Sequence, residues 1–369
     1  MVLLRNQNAI LPLSPKTRSI VVIGGHADKG VLAGGGSSLV YPKGGNAVPG
    51  LKPTFWPGPI MYYPSAPLEA IRRQAPGATI SFVDGSDPAA AAAAARNADV
   101  AIVFATQWTG ESFDVPLALP DGQDALIDAV AGANARTVVV LETGGAVLTP
   151  WRDKVAAVLA AWYPGTAGGE AIANVLFGRV NPSGHLPITF PDDVAQLPHP
   201  AMPGSGEFRY TEGASVGYKW FDKQGQRPAY AFGHGLSYTS FDYGSLRASA
   251  QGGTIRATFT VRNTGKVAGT AVAQVYVAGA GWEGPKRLGD FATLRLAPGE
   301  VRTASVTIDP RLLATFDETA REWRLAGGSY RVMLGGASDA LSQEATVTLA
   351  KRTLPASWGS ERRGGQRRP

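Results

Sequence analysis

The stretch ATISFVDGSDPAAAAAAARNADVAIVFATQ, residues 78–107, reads as a strand, a helix and a second strand in direct succession. Its two ends are rich in β-branched and apolar residues, which favour strands, and its alanine-rich middle favours a helix. Asp87 stands where an N-cap is needed, and Pro88 suits the first helical position. Two strands joined by a helix of this length are typical of a parallel pair with a crossover connection.

The same alternation continues over residues 1–191. Further short apolar runs stand at 19–25, 136–144, 155–165 and 186–191, and helical patterns lie between several of them. Strands that are apolar without alternation are buried on both faces of a parallel sheet. The sequence therefore predicts an α/β sandwich domain at 1–191, with a six-stranded, mostly parallel sheet.

Beyond residue 191 the pattern changes twice. Residues 192–245 are rich in Pro, Gly and aromatic side chains, which we interpret as a strap packed between two domains, with Tyr163 among the aromatic residues of the interdomain core. Residues 246–350 alternate with a period of two, as in Ile255, Ala257, Phe259 and Val261, and turn signals separate the runs. This pattern predicts an all-β sandwich of the fibronectin type III kind.

The net charge of +6 comes mainly from one end of the chain. Residues 351–369 contain six basic residues and one acidic residue, so the rest of the chain is close to neutral. We interpret this segment as a basic disordered tail rather than a binding face, because no basic stripe with interleaved aromatics occurs elsewhere. Nucleic acid is therefore not an expected partner.

Other classes of function are limited by composition. The chain has no cysteine and four histidines without metal-ligand spacing, so we expect no metal site and no cofactor. No apolar run is long enough for a membrane helix, and the N-terminal residues do not form a convincing signal peptide. The cellular compartment stays open.

A glycine-rich loop follows the apolar run at 19–25, within the stretch VVIGGHADKGVLAGGGSSLV (21–40). Such loops wrap around phosphates or approach another polar ligand. The glycine spacing does not fit a dinucleotide fingerprint, and no lysine follows the glycines as a Walker loop requires. A nucleotide-binding protein is therefore a distant alternative, and a polar ligand other than phosphate is favoured.

A second loop, TQWTGESFDVPLALPDGQD (106–124), follows the strand at 99–107. Ligands of open α/β sheets bind beyond the carboxyl ends of the strands. Glu111 and Asp114 lie there beside Trp108, and partial desolvation would raise the pKa of such an acid toward the range of a general acid. The alternative is that both carboxylates are solvated loop charges.

Several motifs in the same order resemble the second and third domains of glycoside hydrolase family 3, the β-glucosidases and related exo-acting enzymes. The resemblance covers about residues 2 to 350 and rests on IGGHAD, GGGSSLVYP, NADVAIVF, GESFD, LALPDGQDALIDAV, VVVLETGGAVLTPW, AAWYPGTAGGEAIANVLFGRVNPSGHLPITFP and PAYAFGHGLSYTSFDY. It implies a retaining β-glycosidase that releases terminal non-reducing sugars from a small glycoside or oligosaccharide.

The resemblance also implies roles for individual residues. Glu111, in GESFD, matches the catalytic acid/base, and Asp114 then shapes the loop. Ser37 matches a contact to the sugar, with a simple turn serine as the alternative. Trp108 is a candidate for the aglycone side, although an aromatic residue at a strand end is often only packed.

One part of the family pattern is missing from the sequence. The nucleophile of the family is an aspartate on a preceding (β/α)8 barrel, and this chain begins where the second domain normally starts. The pair Ser86–Asp87 is better explained as a helix cap. We therefore expect a chain that is inactive alone, either truncated or one half of a split enzyme with a separate barrel chain. A non-catalytic carbohydrate-binding or adhesion module is the competing interpretation.

Overall fold

The computed structural model describes residues 1–37, 39–201, 206–251, 253–279, 281–282 and 284–356. The chain forms two compact units. The first consists of Met1–Tyr210 and Arg227–Tyr238, and the second consists of Thr211–Gln226 and the residues from Thr239 onward. The residues 192–245, predicted as a strap, are thus shared between the two units.

The first unit contains eight strands and four α-helices among its described residues. The strands are β1 (Val2–Asn6), β2 (Ser19–Ile23), β3 (Val31–Ala33), β4 (Met61–Tyr62), β5 (Thr79–Val83), β6 (Val100–Gln107), β7 (Thr137–Thr143) and β8 (Ala157–Ala160). The helices are α1 (Pro67–Gln74), α2 (Pro88–Arg96), α3 (Gln123–Ala133) and α4 (Gly168–Leu176).

Six of these strands form one sheet in the order β1-β8-β7-β6-β2-β5. All pairs in it are parallel except β1 with β8, which is antiparallel at the edge. Helices α2 and α3 contribute to the core on one face, and α1 and α4 contribute to the core on the other. Strands β6 and β7 are buried almost throughout because both of their faces are covered. The predicted α/β sandwich is confirmed.

The sixth strand is not the predicted one. Residues 186–191 stay outside the sheet, and Phe190 there only exchanges backbone hydrogen bonds with Tyr230. Pro187 and Pro191 have no N–H to donate to a ladder, so this segment is unsuited to a central position. Strand β1 takes the sheet edge instead.

Helix α2 begins as predicted. The Asp87 carboxylate accepts hydrogen bonds from the N–H groups of Ala89 (2.8 Å) and Ala90 (3.2 Å). These contacts satisfy two of the free donors at the helix start. Asp87 is therefore a capping residue.

The second unit contains helix α5 and ten strands among its described residues. They are α5 (Tyr218–Gln224), β9 (Phe241–Gln251), β10 (Thr254–Asn263), β11 (Gly269–Ala278), β12 (Arg287–Leu296), β13 (Val301–Ile308), β14 (Ala314–Asp317), β15 (Glu322–Leu325), β16 (Gly328–Ala337), β17 (Ala340–Leu349) and β18 (Arg352–Pro355). Two antiparallel sheets, β13-β10-β9 and β12-β11-β16-β17, enclose a shared apolar core. Ile255, Ala257, Phe259 and Val261 are all buried in it, as their alternation predicts.

The predicted disorder of residues 351–369 is wrong for the first residues of that segment. Arg352–Pro355 form β18, which pairs antiparallel with Glu322–Leu325. Leu354 is buried in this small sheet. Its burial and the backbone pairing with β15 stabilise residues 352–355 as a strand, although the charge of the segment suggested disorder. Residues 357–369 lie outside the described residues.

Candidate active site

A cavity of about 620 Å³ opens at the carboxyl ends of β6, β7 and β8 in the first unit. Four segments line it: β3 with the glycine-rich loop that follows it, the loop after β6, the residue after β7 and a residue shortly after β8. The lining residues are Leu32, Ala33, Gly34, Gly35, Ser37, Thr109, Gly110, Glu111, Gly144 and Tyr163. Parallel strands β6, β7 and β8 bring three of these segments to one edge of the six-stranded sheet, which is where α/β sheets bind their ligands.

The glycine-rich loop needs its glycines because it packs directly on the loop after β6. A Cβ atom on Gly34 would collide with the Tyr163 ring and would lie 2.6 Å from the Thr109 carbonyl oxygen. Gly35 donates its N–H to that same carbonyl at 2.9 Å. Gly36 has φ +108°, and a Cβ there would lie 2.6 Å from Cβ of Glu111. At these three glycines the loop therefore approaches the cavity with backbone atoms and no side chains.

Tyr163 anchors the loop after β6. Its hydroxyl donates to the Gln107 carbonyl oxygen at 2.6 Å and accepts from the Thr109 N–H at 2.9 Å. The Thr109 hydroxyl is also 2.9 Å from it, and because the Tyr163 proton already goes to Gln107, Thr109 is the donor in this contact. Burial is the main cause that raises the pKa of Tyr163, so the hydroxyl stays protonated at neutral pH.

Glu111 lies at the rim of the cavity, with its carboxylate exposed to solvent. The Ser37 N–H donates to its Oε2 at 2.8 Å. Hydrogen bonds from the Ser37 hydroxyl and backbone hold the pKa of Glu111 below its usual range, because they stabilise the charged form. Ser37 and Glu111, both predicted as site residues, are thus in direct contact.

The predicted rise in the pKa of Glu111 is wrong for this structure. We expected partial desolvation beside Trp108 to dominate, but the carboxylate faces solvent and Ser37 donates to it. Asp114 is exposed in the same loop and does not line the cavity.

Trp108 lies behind the cavity rather than on its surface. Its indole N–H donates to the Gly58 carbonyl oxygen at 2.9 Å, and its ring contacts Phe113 edge-on with 5.9 Å between ring centroids. It packs against the small apolar cluster of Val31 and Tyr62. These contacts give Trp108 a packing role.

Three lining residues were missed from the sequence. Thr109 and Gly144 lie in quoted motifs but were given no role there, and Tyr163 was assigned to the interdomain core. The available signal was position, since all three stand within three residues of a strand's carboxyl end. A Cβ on Gly144 would collide with the Thr109 hydroxyl, which explains the glycine there.

A second acid lies nearby but below the surface. Glu142, near the end of β7, is fully buried, and neither of its carboxyl oxygens has a hydrogen-bond partner among the described residues. Burial raises its pKa to about 8, and the Val31 N–H faces the carboxyl without forming a hydrogen bond of ordinary geometry. Glu142 is not among the cavity-lining residues.

In the part of the chain that the structure describes, no three His, Asp or Glu side chains come together as metal ligands. In the same part of the chain, no helix is long and apolar enough to cross a bilayer.

Two family models match the chain. Residues 1–238 match the glycosyl hydrolase family 3 C-terminal domain, and residues 271–338 match the fibronectin type III-like domain. The β-sandwich predicted for the second unit is thereby confirmed.

Curated relatives carry the names of β-glucosidases. Thermostable beta-glucosidase B of Acetivibrio thermocellus is 34% identical over 372 residues, which cover 95% of this chain and 48% of the relative. Beta-glucosidase of Rhizobium radiobacter is 42% identical over 273 residues, which cover 69% of this chain and 33% of the relative. The chain thus spans half or less of the length of these relatives.

Solved structures agree with the fold over nearly the whole chain. DesR, a β-glucosidase from Streptomyces venezuelae in complex with D-glucose, has a TM-score of 0.83 at 30% identity, covering 95% of this chain and 58% of that one. Beta-glucosidase 3B from Thermotoga neapolitana in complex with glucose has a TM-score of 0.81 at 29% identity, covering 96% and 53%. The family model matches well over half of the residues, so the chain belongs to the glycosyl hydrolase family 3 C-terminal domain family.

Proposed function

We propose that this chain supplies the general acid/base, Glu111, of a retaining exo-acting β-glycosidase that acts on terminal β-D-glucosides. The second carboxylate, which acts as nucleophile, comes from a (β/α)8 barrel domain, either as a separate chain or as part of a longer polypeptide. The observation that carries the proposal is the exposed Glu111 carboxylate at the rim of a cavity, in a chain of this family.

The arrangement of the cavity suits an acid that serves an incoming ligand. Glu111 is the carboxylate among the described lining residues, and four of the other lining residues are glycines, which leave room for a sugar to approach the backbone closely. Retaining glycosidases place two carboxyl groups about 5 to 5.5 Å apart. A barrel domain over this cavity would bring the second one.

The chemistry assigned to Glu111 has two steps. In the first, its protonated carboxyl gives a proton to the glycosidic oxygen as the bond to the sugar breaks. In the second, the carboxylate takes a proton from the water that releases the sugar from the nucleophile. A neighbouring domain that covers Glu111 would desolvate it and raise its pKa, which the first step requires.

Exposed aromatic side chains on the surface beside Glu111 favour the proposal that another domain covers it. Tyr41, Phe55, Trp56 and Phe113 are each between 47% and 76% exposed, and the Trp56 and Phe113 rings contact each other with 5.8 Å between ring centroids. Phe113 stands two residues after Glu111. Exposed aromatic clusters of this kind mark interaction surfaces. We assign the barrel as the occupant of this surface.

Two relatives support the proposed substrate class. DesR and β-glucosidase 3B were each solved with glucose. We therefore propose a β-D-glucoside with the sugar at its non-reducing end.

The test is reconstitution. The barrel is taken from the part of the Acetivibrio thermocellus relative that this chain does not match, and it is joined to this chain by a flexible linker, which gives an effective concentration on the order of millimolar. We expect the fusion to hydrolyse p-nitrophenyl β-D-glucoside and the isolated chain not to do so. E111Q should remove most of the fusion's activity.

Two outcomes would contradict the proposal. A folded fusion without turnover would rule out the assigned partner, and turnover by the isolated chain that E111Q abolishes would place the nucleophile within this chain. The alternative of a sugar-binding module makes its own prediction, which is glucoside binding by the isolated chain that is unchanged in E111A.

A further inference from the structure

We propose that Tyr163 is a positioning residue for Glu111, because its hydroxyl fixes the backbone of the loop after β6 on both sides of Trp108. The catalytic meaning of this role rests on the proposed function. The role itself concerns contacts within the first unit and can be tested without any turnover.

The Tyr163 hydroxyl uses all of its hydrogen-bonding capacity. Tyr163 donates to the Gln107 carbonyl oxygen and accepts from both the N–H and the hydroxyl of Thr109. A phenol can donate once and accept through its lone pairs, so this hydroxyl is fully used. Its position is fixed relative to residues 107 and 109.

Thr109 in turn contacts the glycine-rich loop. The Thr109 carbonyl oxygen accepts the Gly35 N–H at 2.9 Å, and the Gly34 backbone packs on the Tyr163 ring. Tyr163 therefore touches both loops that meet at the cavity, one through its hydroxyl and the other through its ring.

The remaining contact joins Ser37 of the glycine-rich loop to Glu111. Two residues after Gly35, the Ser37 N–H donates to Glu111, which itself stands two residues after Thr109. The contacts form a closed path from Tyr163 through Thr109, Gly35 and Ser37 to Glu111. Loss of the Tyr163 hydroxyl frees Thr109 at the start of this path, so Ser37 and Glu111 no longer meet at a fixed distance.

The test is Y163F, which keeps the ring against Gly34 and removes only the hydroxyl. The matched control is Y230F, because the Tyr230 hydroxyl is buried and has no hydrogen-bond partner among the described residues. The readout is the Ser37 amide signal of the isolated chain, labelled with ¹⁵N-serine and followed by NMR against pH. S37A assigns the signal, and E111Q shows that its titration reports Glu111.

In the unmodified chain and in Y230F we expect the Ser37 amide to titrate with a pKa below 4.5, the ordinary value for a glutamate. In Y163F the titration should move up toward 4.5 or disappear. A folded Y163F whose Ser37 amide titrates as in the unmodified chain would overturn the proposal. So would an unmodified chain whose Ser37 amide does not respond to Glu111.

A second variant covers the case that Y163F does not fold. T109V removes the Thr109 hydroxyl and leaves the backbone contact to Tyr163 in place, so we expect a smaller change in the same direction. An unchanged titration in T109V, with Y163F unfolded, would count against the proposal. Failure of the barrel fusion would leave these expectations intact, so the two proposals can fail separately.

Discussion

The Ser37 backbone N–H and Glu111 Oε2 are 2.8 Å apart, although their residues are 74 positions apart in the chain. The contact joins the glycine-rich loop to the loop after β6, and it stabilises the carboxylate form of Glu111. A general acid must be protonated when it acts. For the proposed role of Glu111, this contact corresponds to a resting carboxylate, and the exclusion of water by a ligand and the proposed barrel domain would raise its pKa.

The close packing of Gly36 on Glu111 predicts a specific loss of stability. Gly36 and Gly44 both have positive φ, of +108° and +94°, so alanine is strained at either position. A Cβ on Gly44 meets nothing within 4 Å, whereas one on Gly36 would lie 2.6 Å from Cβ of Glu111. We expect G44A to cost about 1 kcal/mol of unfolding free energy, and G36A to cost about 1 to 3 kcal/mol more because of overpacking.

Urea unfolding of the two variants checks this difference. If G36A and G44A were equally stable, the glycine-rich loop would not be packed on the loop after β6. The Ser37 amide titration described above provides an independent readout, and it should change in G36A and not in G44A.

Burial of Glu142 predicts a stability that falls as pH rises. Its pKa is about 8 in the folded chain and 4.5 when unperturbed, so between these values the folded state holds a proton that the unfolded state has released. The stability contribution is therefore fully present below pH 4.5 and is lost as pH rises through about 8. Each unit of pKa difference corresponds to about 1.4 kcal/mol.

The comparison with E142Q isolates this effect, because the amide has the same shape and does not titrate. We expect the unfolding free energy of the unmodified chain, relative to E142Q, to fall by a few kcal/mol between about pH 4.5 and about pH 8, and then to level off. Other groups, such as the partly buried His185, titrate in both proteins and cancel in the difference. A flat difference would show that the Glu142 carboxyl is solvated or paired.

The capping role of Asp87 predicts that its replacement lowers stability modestly and leaves catalysis unchanged. D87A removes the acceptor for the N–H groups of Ala89 and Ala90, and should lower the unfolding free energy by about 1 kcal/mol. D87N keeps an acceptor and should restore most of it. Both variants, made in the barrel fusion, should retain its activity on p-nitrophenyl β-D-glucoside, whereas a large loss of kcat would reopen Asp87 as a candidate nucleophile.

Much of the fold could be predicted because it depends on local patterns. Short runs of β-branched or apolar residues identified β2, β5, β6, β7 and β8, and alternation identified the buried face of β10. Strand β1 was missed because an antiparallel edge strand next to β8 depends on a contact about 150 residues away in sequence. The strand at 352–355 was missed because its pairing with β15 outweighs the charge of the segment.

The candidate site was predictable only in part. Glu111 and Ser37 could be found because both lie in recognisable motifs at strand ends. The direction of the Glu111 pKa could not, because it depends on a hydrogen bond between two loops. Tyr163 was missed for a similar reason, since its partners Gln107 and Thr109 are about 55 residues earlier in the chain.

The most direct test of Glu111 as the acid/base is the dependence of kcat/KM on the leaving group in the barrel fusion. A general acid contributes about 10²- to 10⁴-fold when the departing oxygen needs a proton. We expect E111Q to lose activity of this size on alkyl β-D-glucosides, less on p-nitrophenyl β-D-glucoside and little on 2,4-dinitrophenyl β-D-glucoside, because a more acidic leaving group departs as an anion without a proton. An equal loss on all three substrates, or no loss on any, would contradict the account.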